Sequence, residues 1–286
     1  MYPFRKILFP VDYSAACQTV VPYVKDAIRH YSAELTVVHA YGGEALAYSK
    51  LPLTDPELAN EARAFQEDQV LNFAQETFLG QHVETFAELG EAGSVVSRIV
   101  QHQGADLVML ATHGRGPLRR FLLGSVAAKV LHDLGAAVWT GTGTALSQHT
   151  PAIPYKSVLC ALDETDEAGA VLTAASALAC DYNARLWLVH VIEMPPPMVE
   201  VDTSPYWQSL ADSADFRLRE LKGRLNIDAP HAVLEGNVVN ALREEAVRRQ
   251  ADLIVMGRGR VQGTLTRLWS HVYPVVRESP CPVLSI

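Results

Sequence analysis

Gly114 and Gly124, with nine residues between them and Ser125 directly after the second, are the residues of this chain best placed to do chemistry. Glycine lets backbone N–H groups come close to a phosphate. A serine at a helix start adds a hydroxyl donor to the positive end of the helix dipole. His113, Arg115, Arg119 and Arg120 in the same stretch, and Lys129 just beyond it, could donate to a phosphate or neutralise it. Taken singly, each is explained as well by a turn or a solvated basic face, and the glycines by a loop that only has to turn.

The elements around this stretch give it its meaning. Leu107 to Ala111 is a continuous apolar run, as expected of a strand buried on both faces, and it breaks into glycines where such a strand should end. Val126, Ala127, Val130, Leu131 and Leu134 then fall at helical spacing, which puts Ser125 about where a helix begins.

The chain is one unit written twice. Lys6 to Asp12 returns as Ser157 to Asp163, and Glu34 to Ala40 as Arg185 to Val191, both 151 positions on. Gly104 to Leu110 returns as Gln250 to Met256 only 146 positions on, so the second copy has lost five residues in between. In the first copy strands are expected at Ile7 to Val11, Leu35 to Ala40, Val83 to Glu88, Leu107 to Ala111 and Ala136 to Thr140. Helices fall between them. Ser14 is placed to cap the first helix, and the second runs from about Glu57 to Phe78. Tyr41 to Pro56 reads as a loop, Gly141 to Pro154 as a polar linker, and Pro282 to Ile286 as the last strand. The expected domains are 1–145 and 154–286. Alternating strands and helices imply an α/β fold: two tandem doubly wound domains, each a five-stranded parallel sheet with helices on both faces.

The spacing around the glycines resembles the nucleotide-binding signature of the universal stress protein family: glycine, two residues, glycine, nine residues, then Gly-Ser or Gly-Thr. Gly114 and Gly124-Ser125 match it, while Ala111 stands where the family has its first glycine. The resemblance implies an adenine nucleotide alpha hydrolase-like fold with strand order 3-2-1-4-5, and a site at the topological switch between strands one and four. Carried over residue by residue, it implies nucleotide contacts from Pro10, Val11, Asp12, Ala40, Leu110, Ala111, His113, Gly114, Arg115, Gly124, Ser125 and Val126. The ligand it implies is ATP, with or without Mg2+. Asp12 is equally well explained as the cap of a turn, and its return as Asp163 points to a partly structural role.

The second copy departs from the signature. Gly257 restores the first glycine, but Arg260 replaces the second, and Ser270-His271 replaces the Gly-Ser pair. A side chain at position 260 obstructs the approach a phosphate needs, so ATP is not expected there in the family's manner; this half is a structural partner or holds another ligand near Arg258, Arg260 and Arg267. His39 and His190 end the second strands of their copies and read as satisfied core or rim histidines.

Composition narrows the classes. The chain has 286 residues, 49% hydrophobic and 20% charged, with a formal charge of −8, which disfavours sequence-independent nucleic-acid binding. No run reaches membrane-spanning length and no signal peptide leads the chain, so a cytoplasmic protein without membrane or nucleic-acid partners is expected. Cys17, Cys160, Cys180 and Cys281 are scattered without metal-ligand spacing and read as small core residues. No nucleophile–base pair or carboxylate metal cluster is visible, so no enzyme is expected, with weak ATP hydrolysis left open. The expectation is a nucleotide-binding stress-response regulator, the alternative a structural or interaction protein of the same fold that binds no nucleotide. The apolar last strands, and the family's habit of pairing them antiparallel, imply an internal pseudo-dimer of the two halves and leave room for a homodimer.

Overall fold

Residues 2–42, 56–112, 123–141, 152–193, 204–258 and 271–286 are described by the structure, a computed structural model. His113, Gly114, Arg115, Arg119, Arg120, Arg260, Arg267 and Ser270 lie outside them, as do most of the expected loop and linker. The chain divides into two compact units, Pro3–Gly143 and Thr144–Ile286.

In the first unit, β1 (Lys6–Pro10), α1 (Ala15–Tyr31), β2 (Glu34–Gly42), α2 (Pro56–Thr77), β3 (Val83–Gly90), α3 (Ala92–Gln103), β4 (Leu107–Ala111), α4 (Ser125–Asp133) and β5 (Ala137–Gly141) follow in order. The strands pair in parallel in the order 3-2-1-4-5, a doubly wound arrangement. The second unit runs β6 (Ser157–Ala161), α5 (Ala168–Asp181), β7 (Arg185–Glu193), α6 (Ser204–Leu225), β8 (His231–Gly236), α7 (Val238–Arg248), β9 (Leu253–Met256), α8 (Tyr273–Glu278) and β10 (Val283–Ser285). Its order, β8-β7-β6-β9-β10, repeats the first, again all parallel.

Local chemistry accounts for these elements. Ile7, Leu8 and Phe9 of β1, and Leu107 to Leu110 of β4, are buried on both faces, as their unbroken apolar runs require. Each such side chain contributes roughly 1.5–3 kcal/mol by leaving water. Helix α1 starts where Ser14 Oγ accepts from Cys17 N–H at 3.1 Å, and its apolar stripe of Cys17, Val20, Val21, Val24 and Ile28 faces the core. Glu91 caps α3 by accepting from the N–H groups of Gly93 and Ser94, and Gly104 ends it in the left-handed region at φ +65°.

An aspartate pins the lower end of each central strand. Asp106 accepts from the N–H groups of Arg5 and Lys6, and Asp252, buried, from those of Ala152, Lys156 and Ser157. The upper ends differ. The ladder between β6 and β9 runs through four pairs to Ala161 and Met256, whereas that between β1 and β4 stops after Leu8 and Val108. Val11 N–H points to β2, donating to Val38 O, so by strand alternation Pro10 sits with its nitrogen toward β4. A proline nitrogen has no hydrogen to give, and the two strands part there.

Most element bounds differ from expectation by one or two residues, through frayed ends. Ser125 opens α4, as expected, with Gly124 as the cap and no side-chain hydrogen bond there. One difference is chemical: Cys180 is exposed, not a core residue, because it falls on the outer side of the last turn of α5; the other three cysteines are buried. No helix among the described residues is long and apolar enough to cross a membrane.

Candidate functional site

Strands β2, β1 and β4 are neighbours, so their carboxyl ends share one edge of the sheet. Pro10, Val11, Asp12, Ala40, Leu110 and Ala111 therefore converge. Gly124, Ser125 and Val126 join them because Gly124 N–H donates to Thr112 O at 2.9 Å, tying the start of α4 to the end of β4.

The direction of the backbone follows from the ladder. In a strand, alternate residues turn both N–H and C=O toward the same neighbour, and Val38 turns toward β1 because its carbonyl accepts from Val11 N–H at 2.8 Å. Ala40 faces the same way. Its would-be partner is occupied, since Val11 O accepts from His39 Nδ1 at 2.7 Å. A carbonyl only accepts, so the Nδ1 atom carries the proton. Ala40 thus turns a donor and an acceptor toward the end of β1, above Val11. His39, as expected, is a satisfied rim histidine. Thr112 N–H donates to Gly141 O, which turns Ala111 toward β1 and the opening between β1 and β4. Ala111 closes β4 in extended conformation and has no positive φ, so its methyl strains nothing there.

At the far side lies the start of α4. Gly124 caps it with φ −58° and ψ 144°, and its own N–H is taken by Thr112 O. The donors a ligand would meet are the first-turn N–H groups of Ser125, Val126 and Ala127, which have no partner within a helix. Lys129, for which the sequence allows either a phosphate contact or a solvated basic face, pairs with Glu91 at 3.5 Å. Burial pushes the Glu91 carboxyl up, but hydrogen bonds from Ser94 and Gly93, with Lys129 nearby, more than reverse this and hold it below the usual carboxylate range. Asp12 shows the structural side of its role: its Oδ1 accepts from Ser14 N–H at 3.0 Å, as Asp163 Oδ1 accepts from Thr165 N–H at 3.2 Å and Thr165 Oγ1 at 2.5 Å.

Two residues at the rim of the first unit, Tyr13 and Phe73, escaped the sequence reading. The Tyr13 ring lies 4.7 Å from that of His39 and 5.5 Å from that of Phe73, and Tyr13 itself sits at φ +59°, a conformation costly to a residue with a Cβ. In the second unit Glu164 takes the place of Tyr13 and His190 that of His39, both 151 positions on. The buried Val70 and Ala74 of α2 correspond to Ala214 and Leu218 of α6, 144 positions on, which sets Arg217 in the place of Phe73. An aromatic trio has become an ionic one. Glu164 pairs with Arg217 and lies 3.6 Å from His190 Nε2, while His190 Nδ1 donates to Leu162 O at 2.9 Å.

This trio stands at the mouth of a cavity of about 410 Å³ at the carboxyl ends of β6, β7 and β9. Val191, Leu210, Val238, Leu242, Met256 and Val272 give it apolar walls. Arg258, only 1% exposed, is part of the lining, and its N–H donates to Ile286 O as that of Thr112 does to Gly141 O. Among the described residues no three His, Cys, Asp or Glu side chains gather closely enough to hold a metal ion.

Comparison with known proteins agrees with this fold. The model of the Universal stress protein family matches residues 3–139 and again 154–286. A universal stress protein of Thermus aquaticus is 32% identical over 140 residues, covering 46% of this chain and 98% of the relative, which is the length of one half. The crystal structure of a universal stress protein from Archaeoglobus fulgidus superposes with a TM-score of 0.70 at 21% identity, covering 98% of this chain and 95% of the other. A functionally unknown protein from Pseudomonas aeruginosa superposes with a TM-score of 0.66 at 14% identity, over 99% and 92%. These two likenesses concern the fold.

Proposed function

The chain belongs to the universal stress protein family, in a tandem arrangement, and from that premise we propose that it is a cytoplasmic regulator that binds ATP in its first half and performs no catalysis of its own. The observation that carries the reading is the parting of β1 from β4 above Leu8 and Val108, opposite the start of α4. Beside that opening, above the end of β1, Ala40 turns a donor and an acceptor suited to the edge of a base. Across it, the N–H groups of Ser125, Val126 and Ala127 suit phosphate oxygens, which several backbone donors and a helix N-terminus stabilise together. Asp12 stands on the rim for the sugar hydroxyls, and Mg2+ would arrive with the phosphates. Four free cysteines, three of them buried, suit a reducing compartment.

Calorimetric titration of the full chain with ATP tests this. One site per chain is expected, lost on Gly124→Val and retained on Gly257→Val. Two equivalent sites, no heat of binding, or a loss caused by Gly257→Val alone would overturn the reading.

A further inference from the structure

The cavity of the second unit has a closed floor. Ala161 and Met256, the last rung of the ladder between β6 and β9, both line it, and Leu210, Val238, Leu242 and Val272 give it apolar walls. Its volume of about 410 Å³ is within the range that takes a small organic molecule. Helix α8 has only six residues, and the Gly-Ser pair that opens α4 is replaced by Ser270-His271, so a phosphate chain has no cradle of the first half's kind.

The backbone of Val191 supplies the polar groups. Val189 turns toward β6, because its carbonyl accepts from Leu162 N–H at 2.9 Å, and Val191, two residues on, faces the same way. The carbonyl that Val191 N–H would meet next, that of Leu162, accepts from His190 Nδ1 at 2.9 Å. Val191 therefore turns a donor and an acceptor, side by side, toward the end of β6, where Leu162, Asp163 and Glu164 border the cavity.

The charged groups of the lining are already engaged. Glu164 is held by Arg217 and His190, Glu193 lies 3.7 Å from His271 Nε2, and Asp163 accepts from Thr165. Arg258 is 1% exposed and engaged within the fold, so it presents nothing to a ligand. A charged molecule entering the cavity would lose hydration to apolar walls and meet no unengaged counter-charge. An uncharged molecule with a donor beside an acceptor loses far less, and Val191 restores both hydrogen bonds. A lactam has that pair, its N–H and C=O held on one edge of a ring whose faces suit the walls.

We propose that this cavity binds a small uncharged lactam with an apolar body, its N–H donating to Val191 O, its carbonyl accepting from Val191 N–H, and its rings against Leu210, Val238 and Leu242. The proposal does not rest on nucleotide binding in the first half, and its test contains no step that needs ATP to bind.

Carbostyril, a bicyclic lactam, serves as probe, titrated calorimetrically into the full chain. Its N-methyl derivative, which lacks the donor, and quinaldate, a carboxylate on a ring system of the same size, are the controls. One carbostyril site is expected, with both controls at least tenfold weaker. Val191→Pro removes the inward N–H without taking a hydrogen bond from the ladder with β8, from which Val191 faces away, and should weaken carbostyril at least tenfold. Val238→Trp, which fills the cavity from the half-buried start of α7, should abolish binding and decides the matter if Val191→Pro does not fold. Gly124→Val should leave binding unchanged. Absence of carbostyril binding to the parent, equal binding of the N-methyl derivative or of quinaldate, or full binding by the Val238→Trp chain would overturn the proposal. Loss of carbostyril on Gly124→Val, or its displacement by ATP, would place the ligand in the first half and overturn it equally.

Discussion

The Tyr13 ring lies tilted at 40° over that of His39, with centroids 4.7 Å apart, where the second unit has Glu164 3.6 Å from His190. To hold that ring in place the chain keeps Tyr13 at φ +59°, in a region that a side chain bearing a Cβ enters at a cost of roughly 1–2 kcal/mol.

That cost can be separated from the ring contacts. Tyr13→Ala and Tyr13→Gly both lose the contacts with His39 and Phe73, but only glycine relieves the backbone. The glycine variant should be the more stable of the two by about 1 kcal/mol in denaturant unfolding. An alanine variant equal to or more stable than the glycine one would show that the residue is not strained.

Ala111→Gly restores the family's first glycine. Because Ala111 is already extended, the change should leave ATP affinity within about twofold, while costing about 0.5–1 kcal/mol of stability through added freedom of the unfolded chain. A large gain in affinity, measured by calorimetry, would mean that the methyl obstructs the nucleotide.

Asp252 holds three backbone N–H groups and is buried, so Asp252→Ala should lower stability by about 3 kcal/mol. Asp106→Ala should cost less, since the N–H groups it holds belong to the more exposed Arg5 and Lys6. Urea midpoints of the two variants check the order.

Burial pushes the Cys17 thiol up to about 11 and that of Cys281 up to about 12, and raises Cys160 further. The folded protein binds these protons more tightly than the unfolded chain, whose thiols titrate near 9. Their contribution to stability is therefore whole below pH 9 and is lost as the pH climbs from 9 toward 11 and 12. Stability should fall in that window by up to about 1.4 kcal/mol per pH unit and per thiol, and replacing Cys17 by alanine should flatten the slope. At pH 8 iodoacetamide should label exposed Cys180 first, with the other three reacting only on unfolding.

The fold was legible because its signals are local. Apolar runs such as Leu107 to Leu110 mark buried strands, and strings repeated at one offset mark the duplication. Much of the candidate site's skeleton was legible for the same reason: Asp12 follows the first strand, Ala40 lies near the end of the second, Ala111 ends the fourth, and Gly124-Ser125 opens a helix. What was not legible depends on faces meeting across the fold. Phe73 reaches Tyr13 from a helix sixty residues away, and its equivalence with Arg217 is masked by a change of offset from 151 to 144. No spacing in the chain discloses that Gly124 N–H is spent on Thr112 O, or that Lys129 turns to Glu91.

Pro10 has a consequence for how such a chain can diverge. The depth of the cleft between β1 and β4 is fixed by one closed ring inside the sheet, while the groups that would touch a ligand sit on the turns above it. Notch and lining are therefore separable inheritances. The turns of one half could be rewritten wholesale and the notch would persist; conversely, Pro10→Ala should let two more rungs zip up and make the first cleft as shallow as the second while leaving the turns above it unchanged.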